Sequence, residues 1–159
     1  MIIVECYGDE ALLKCLGFGE LTHFSGSGDV GNKLSILENK IAMIDADPGK
    51  TKHKYFQNLK LYKEKNFAID TYKDIIKINY VIQLDPDLEG FILKMSKESK
   101  SIDLLNKYKI PNTKETLHEY LARQRIPTVF ESYLKEMIER NTPQLKYLKD
   151  TIDEIQRLI

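Results

Sequence analysis

The chain lacks most of the features that mark secreted, disulfide-stapled or membrane-spanning proteins. Its 159 residues include two cysteines, Cys6 and Cys15, and these form no C-x-x-C pair. This usage excludes a disulfide framework and a cysteine zinc site, and it indicates reduced thiols. No run of about 18 apolar residues is present, so no membrane span is expected. Only Met1–Val4 precedes the first charged residue, which is too short for a signal-peptide core, and a cytoplasmic location is expected.

The chain also lacks a net charge, because 24 Lys and Arg balance 24 Asp and Glu. Residues 1–50 nevertheless carry eight acids against four lysines, and the rest of the chain carries the basic excess. Such a split is expected where a metal-carrying site meets a phosphate-rich ligand, although ordinary scatter of charge also produces it. A chain of this length buries roughly two-thirds of its unfolded surface and folds as a single domain without staples.

Apolar runs and helical patterns alternate in the first part of the chain, which predicts an α/β fold with a mostly parallel sheet in residues 1–98. The predicted strands are residues 2–5, 21–24, 41–45, 66–71 and 75–84. The last of these is predicted from the alternation of apolar residues along it. The predicted helices are residues 7–16, 30–39 and 85–95, with residues 50–65 forming a lysine-rich loop or helix.

Residues 99–159 show helical periodicity throughout and are expected to form an all-helical extension. Breaks at Pro111, Pro127 and Pro143 predict three or four helices. The last helix carries an apolar seam of about two heptads. Packing of this seam on the core is the favoured interpretation, and a homodimer or another partner is the alternative. The seam residues are Leu145, Leu148, Ile152, Ile155 and Ile159.

Acidic residues stand at the ends of two predicted strands. Glu5 ends the first strand, Asp45 and Asp47 end the third, and the glycine-rich turn Gly26–Asp29 follows the second. The turns that follow parallel strands meet at one edge of the sheet, where ligands bind. Carboxylates held close together need a cation, and their hard oxygens suit Mg²⁺ or Mn²⁺. Asp9 and the last residue of the glycine-rich turn complete the predicted metal set as outer members.

Two motifs carry a resemblance to a known family. The first is Ile3-Val4-Glu5-Cys6-Tyr7-Gly8-Asp9, with Leu12-Leu13 and Gly17-Phe18 after it. The second is Ile44-Asp45-Ala46-Asp47-Pro48-Gly49. In this order they resemble the Toprim domain of topoisomerases, bacterial primases and several nucleases, over roughly residues 1–95.

The Toprim resemblance implies a Rossmann-like α/β core and a specific set of roles. Glu5 is expected to be a metal ligand or general acid/base, while Asp45 and Asp47 hold Mg²⁺ for phosphodiester chemistry. Cys6 and Gly49 depart from the family, which usually has Gly after the first Glu and, in topoisomerases, a third Asp at the position of Gly49.

Length favours a small nuclease over a topoisomerase or primase, since those enzymes need further modules. The chain looks most like the Toprim part of overcoming-lysogenization-defect nucleases, which implies a separately encoded ATPase partner and a role in phage defence. By the same resemblance Glu89 serves a second metal. The alternative for Glu89 is an exposed acid that favours the N-terminal dipole of the helix it begins.

Basic and aromatic residues follow the second acidic motif. Lys50, Lys52 and Lys54 are expected to contact a nucleic-acid backbone beside the metal site. The nearby aromatics are expected to pack in the core more than to stack on bases. These aromatics are Tyr55, Phe56 and Tyr62.

The remaining histidines and arginines carry weaker expectations. The three histidines fall on unrelated elements, so no zinc site is predicted. They are His23, His53 and His118. Arg123 and Arg125 are solvated surface charges by default, with phosphate contact as the alternative.

The leading hypothesis is a Mg²⁺-dependent, Toprim-type nuclease that hydrolyses DNA or RNA. One alternative is a non-catalytic Toprim-like module that binds a protein or nucleic-acid partner. Another is a small phosphotransferase that uses the same acids on a mononucleotide.

Overall fold

The computed structural model describes residues 1–123 and 126–159, and within them the chain forms six strands and eight helices. The strands are β1 (Ile2–Val4), β2 (Leu21–His23), β3 (Ile41–Asp45), β4 (Lys60–Asn66), β5 (Ile69–Lys73) and β6 (Tyr80–Leu84). The first four helices are α1 (Tyr7–Cys15), α2 (Ser27–Leu34), α3 (Lys54–Gln57) and α4 (Leu88–Glu98). The C-terminal helices are α5 (Ile102–Lys107), α6 (Lys114–Leu121), α7 (Thr128–Glu139) and α8 (Pro143–Gln156).

All six strands belong to one sheet in the order β2-β1-β3-β6-β5-β4. The strands β2, β1, β3 and β6 run parallel, and the hairpin β4–β5 adds two antiparallel strands beside β6. The predicted α/β fold with a mostly parallel sheet and C-terminal helices is therefore confirmed. The order places β1, β3 and β6 next to one another, so the segments that follow these three strands meet at one edge.

Both faces of the sheet are covered by helices. Side chains alternate between the faces along each strand, since the strand period is two residues. In β1, Ile2 and Val4 join a large core with α1 and the helices from α4 onward, while Ile3 joins a smaller core with α2 and α3. The buried residues of β1 and β3 are apolar on both faces, as expected for a sheet covered on both sides.

The C-terminal helices pack on the large core. The first four seam residues of α8 are 0–1% exposed and lie in this core, whereas Ile159 is 40% exposed. Four of the five seam residues therefore pack on the core, and a homodimer through these helices would need another of their faces. No helix among the described residues is long and apolar enough to cross a membrane.

Several predicted elements differ from the structure. The segment predicted as a lysine-rich loop or helix contains the short helix α3 and the edge strand β4. Residues Phe67 and Ala68 turn this strand into β5, both with positive φ, so the predicted strand 66–71 was placed across a hairpin turn. The helix predicted at 30–39 begins and ends earlier, at Ser27–Leu34.

The strand predicted at 75–84 begins only at Tyr80. The apolar alternation before it was misleading because Ile75 and Ile76 are 67% and 86% exposed. The carboxylate of Asp74 accepts hydrogen bonds from the backbone N–H of Ile76 at 2.9 Å and of Lys77 at 3.1 Å, which holds a turn there.

Asn79 ties this turn to the rest of the smaller core. Its Oδ1 accepts a hydrogen bond from the Lys40 N–H at 2.9 Å. Its Nδ2 faces the carbonyl oxygens of Leu34 and Leu37 at 3.1 and 2.8 Å and the Tyr55 hydroxyl at 3.0 Å. Since Asn79 is fully buried, these bonds satisfy its amide group inside the protein and join it to backbone groups of α2 and of the segment that follows α2.

We expect Asn79→Ala to lower the free energy of unfolding by about 2–4 kcal/mol, because buried carbonyl and N–H groups lose their partner. Urea unfolding followed by circular dichroism measures this loss. The matched control is Asn58→Ala, an exposed asparagine with a single long hydrogen bond, which should change stability by about 0.5 kcal/mol or less. Equal effects of the two substitutions would contradict the role assigned to Asn79.

Candidate active site

Carboxylates from three neighbouring strands line one cleft at the carboxyl edge of the parallel sheet. Glu5 follows β1, Asp45 is the last residue of β3, and the segment after β6 begins α4. The cleft has a volume of about 350 Å³. Its carboxylates are Glu5, Asp45, Asp47, Asp87 and Glu89. The structure thus brings together the predicted catalytic residues and one predicted second-metal residue, and it adds Asp87.

Backbone hydrogen bonds hold these acids in place. The Asp45 N–H donates to Glu5 Oε2 at 3.0 Å, and the Leu88 N–H donates to Asp45 Oδ1 at 2.8 Å. These two bonds link the ends of β1, β3 and β6. Asp47 has φ 43°, a left-handed conformation that aspartate tolerates better than most residues.

Close packing brings α1 against the start of α4. A Cβ added at Gly8 would lie 2.5 Å from Leu88 Cδ2, so a larger residue there would require the Leu88 side chain to move. The residue after Glu5, where the Toprim family usually has glycine, is extended in this chain. Cys6 therefore needs no glycine conformation, and the tight contact lies two residues later, between Gly8 and the Leu88 side chain.

Asp9 lies fully buried beneath the cleft at the start of α1. It forms a reciprocal cap with Cys6, in which the Cys6 N–H donates to Asp9 Oδ2 and the Asp9 N–H donates to Cys6 Sγ, both at 3.3 Å. Asp9 Oδ1 has no hydrogen-bond partner within the described part of the chain. An orphaned buried carboxylate oxygen is unusual and calls for a cation or a proton.

Burial and mutual repulsion raise the pKa values of the acids in and below the cleft. Desolvation raises the pKa of Asp9 and of Asp45, and the charge of Asp9 raises the pKa of Asp45 further. The charges of Glu5 and Glu89 act in the same direction on both. Desolvation also raises the pKa of Glu5, with a further contribution from Asp47. Such a cluster binds protons or a cation more readily than isolated carboxylates do.

Basic side chains pair with the outer acids of the cleft. Lys50 Nζ lies 2.8 Å from Asp47 Oδ2. From α6, Lys114 Nζ lies 2.6 Å from Asp87 Oδ2, and His118 Nδ1 lies 2.8 Å from Glu89 Oε1. The negative charge of the outer acids is therefore partly neutralised within the chain.

The two residues from α6 were not found by sequence reasoning. Lys114 and His118 lie in the segment predicted as a separate helical extension, and no local motif marks either of them. An acidic site at a predicted sheet edge gives a reason to search the rest of the chain for basic partners. Only the tertiary packing of α6 on α4 identifies which basic residues contact the acids of the cleft.

The donors in the cleft fit a hard divalent cation by their chemistry. Several carboxylates lie at one edge of the sheet, and the orphaned oxygen of Asp9 lies below them. As the side chains stand, no three His, Cys, Asp or Glu groups of residues 1–123 and 126–159 converge closely enough to hold one ion. Several carboxylates are occupied by lysines, His118 or backbone N–H groups, so coordination by three of them requires side-chain rotation.

The predicted nucleic-acid contacts are distributed unevenly. A small cavity of about 70 Å³ beside the cleft is lined by Lys50 and Lys52 together with Asp45 and Asp47. Lys54 begins α3, is exposed, and lines neither cavity.

Two other residues for which the sequence offered a role in the site, Asp29 and Arg123, do not line the cleft. Asp29, expected as an outer metal ligand, is exposed in the first turn of α2 and does not line the cleft. The Arg123 guanidinium lies over the Tyr120 ring at 5.5 Å from its centroid, while Arg125 lies outside the described residues.

We expect Asp9→Asn to stabilise the metal-free protein at neutral pH, because the change removes a buried charge and keeps an oxygen for the Cys6 N–H. The pKa of Asp9 is raised on folding, so its ionisation costs stability as pH increases above about 4. The gain should therefore be absent at low pH and reach about 1–3 kcal/mol near pH 7, since each pKa unit corresponds to about 1.4 kcal/mol.

Urea unfolding with EDTA between pH 4 and 8 measures this difference. Asp29→Asn is the control, since it replaces an exposed acid in the first turn of another helix. A loss of stability in Asp9→Asn across the whole pH range would show that the carboxylate is needed for the fold itself.

Comparison with protein-family models, with curated proteins and with solved structures finds no match to the chain. The Toprim resemblance therefore stays a prediction from the two motifs, and the function has to be argued from the site.

Proposed function

We propose that the chain is a Mg²⁺-dependent, Toprim-type nuclease that hydrolyses phosphodiester bonds in DNA or RNA. One observation carries the proposal: carboxylates that follow three neighbouring parallel strands line a single cleft, with lysines at its border. Ligand sites of open α/β sheets lie at this edge. The positions that match the Toprim motifs, Glu5, Asp45 and Asp47, all lie in this cleft.

The residues that would hold Mg²⁺ or Mn²⁺ are Glu5, Asp45 and Asp47, with Asp9 below them and Glu89 for a second ion. Their oxygens are the hard donors that these cations prefer. A bound cation supplies positive charge to the phosphate that is cleaved and acts as a Lewis acid.

The chain's own groups have separate roles in this proposal. Burial raises the pKa of Glu5, and its Oε2 accepts a hydrogen bond from the Asp45 N–H, so its carboxyl is suited to accept and return a proton. Asp45 is positioned by the Leu88 N–H, and its own N–H in turn orients Glu5.

The lysines that follow β3 provide contacts to the phosphate backbone. Lys50 and Lys52 border the acids, and Lys54 extends the positive charge along the start of α3. Such contacts confer affinity that depends on salt and not on sequence.

The proposal includes two kinds of partner. One is a separately encoded ATPase, which the resemblance to overcoming-lysogenization-defect nucleases implies, together with a role in phage defence. The other is a second copy of the chain, bound through an outer face of the C-terminal helices, because the apolar seam of α8 is already buried.

A non-catalytic binding module is the second candidate, and a specific observation favours it. Three acids of the cleft already have partners in the chain, namely the cations Lys50 and Lys114 and the imidazole of His118. A site neutralised in this way is stable without a metal ion.

We expect Glu5→Gln and Asp45→Asn each to lower Mg²⁺-dependent cleavage by about 100-fold or more, because each removes a charge that the reaction uses. Labelled single- and double-stranded DNA and RNA are incubated with Mg²⁺, Mn²⁺ or EDTA, and the initial rates are compared. Glu64→Gln, an exposed glutamate of β4, is the matched control and should cleave like the parent. Cleavage that persists in EDTA, or that survives both substitutions, would contradict the proposal.

Asp47→Ala separates the two candidates. A nuclease should lose turnover while its thermal unfolding in EDTA stays close to that of the parent, because Asp47 is at the border of the cleft. A binding module should retain partner affinity. Absence of any cleavage by the parent protein, with normal folding of all variants, would favour the binding module.

A further inference from the structure

An aromatic pair stands beside the cleft and has no part in the proposed chemistry. The rings of Tyr7 and His23 are stacked with centroids 4.0 Å apart and an interplanar angle of 18°. Tyr7 is the first residue of α1, two positions after Glu5, and His23 ends the edge strand β2. Both side chains are partly exposed, so the pair lies at the surface of the carboxyl edge.

Tyr7 also lines a cavity of about 420 Å³ between α1 and α7. This volume is in the range of small-molecule sites, roughly 300–1,000 Å³. Cys6 lines the acidic cleft and Tyr7, the next residue, lines this cavity. The start of α1 thus contributes one residue to each space, although the two share no lining residue among those described.

The walls of the cavity suit a nucleobase better than a phosphate. Ala11 and Ile126 are apolar, and Glu10 and Glu131 bring carboxylates. The one lysine among the described lining residues, Lys14, is already paired with Glu10 at 2.5 Å. Carboxylates repel phosphate, but they accept hydrogen bonds from the exocyclic amino groups of bases. Tyr7 contributes the flat ring on which a base stacks.

The aromatics that follow the second acidic motif do not offer such a surface. Tyr55 and Phe56 are less than 10% exposed and belong to the smaller core. Tyr62 packs edge-on against Tyr80 and donates a hydrogen bond to Glu154. Tyr55 and Phe56 are thus core residues, Tyr62 is partly buried against the large core, and Tyr7 is a partly exposed aromatic beside the acids.

We propose that Tyr7, supported from behind by His23, stacks on one unpaired base of a single-stranded nucleic acid and so makes the site prefer single strands. A base in a duplex is already stacked and paired, and it has to be flipped out at a cost of a few kcal/mol before it can reach the ring. The inference rests on the proposed function, since it names the substrate class of the same site.

The test is the affinity of the full chain for a fluorescein-labelled single-stranded DNA oligonucleotide and for the duplex of the same sequence, measured by anisotropy in EDTA. The parent should bind the single strand more tightly. Tyr7→Ala should weaken single-strand binding by about 5- to 150-fold, the effect of removing one base-stacking aromatic, and leave duplex binding unchanged. Tyr7→Phe should restore single-strand binding. Tyr147→Ala is the control, because Tyr147 lies on α8 and packs against Phe67.

A second variant keeps a large aromatic side chain at position 7, so its result does not depend on whether α1 tolerates alanine as its first residue. The chain has no tryptophan, so Tyr7→Trp introduces a unique fluorophore at the proposed stacking position. Its emission should be quenched by the single-stranded oligonucleotide and much less by the duplex. Tyr147→Trp should show no quenching.

Separate measurements of binding and of cleavage distinguish an absence of stacking on Tyr7 from an absence of nuclease activity. Binding in EDTA involves no cleavage, so stacking on Tyr7 is measured even if the chain hydrolyses nothing. Cleavage with unchanged single-strand affinity in Tyr7→Ala would overturn the stacking role and keep the nuclease. Absence of nucleic-acid binding by the parent, equal losses in Tyr7→Ala and Tyr147→Ala, or unquenched Tyr7→Trp would also overturn it.

Discussion

Repulsion among carboxylates is the constraint on which the arrangement of this protein depends. The sheet order sets the ends of three adjacent strands side by side, and each end brings acids to the same small volume. Backbone N–H groups, Lys50, Lys114 and His118 compensate part of this charge. Asp9 remains without full compensation, fully buried at the base of the cluster. A protein retains so unfavourable a group where a ligand or a proton completes it.

The parallel part of the fold was predictable because its strands are buried on both faces. Such strands are short continuous apolar runs, and the acids that follow them are visible in the sequence as Glu5 and Asp45. The hairpin β4–β5 was missed because β4 is an exposed, lysine-rich edge strand with no apolar alternation. The start of the strand predicted at residues 75–84 was wrong for the opposite reason. The apolar isoleucines there belong to an exposed turn that Asp74 holds.

The part of the candidate site that depends on the sheet topology was predictable, and the part that depends on helix packing was not. Residues that follow a strand could be placed at the edge by topology alone, which is why Glu5, Asp45 and Asp47 were identified. Lys114 and His118 could not be, because their position depends on how α6 packs against α4. Tyr7 was visible inside the first motif, but its stacking on His23 depends on the pairing of β1 with β2.

The ion pairs at the border of the cleft make cation binding an exchange. Asp47, Asp87 and Glu89 already face Lys50, Lys114 and His118, so a divalent ion that takes up these carboxylates must displace their present partners. The displaced lysines then carry their positive charge at the mouth of the cleft. Filling the acidic interior thereby makes the entrance more attractive to phosphate, so a bound cation and a bound polyanion reinforce each other.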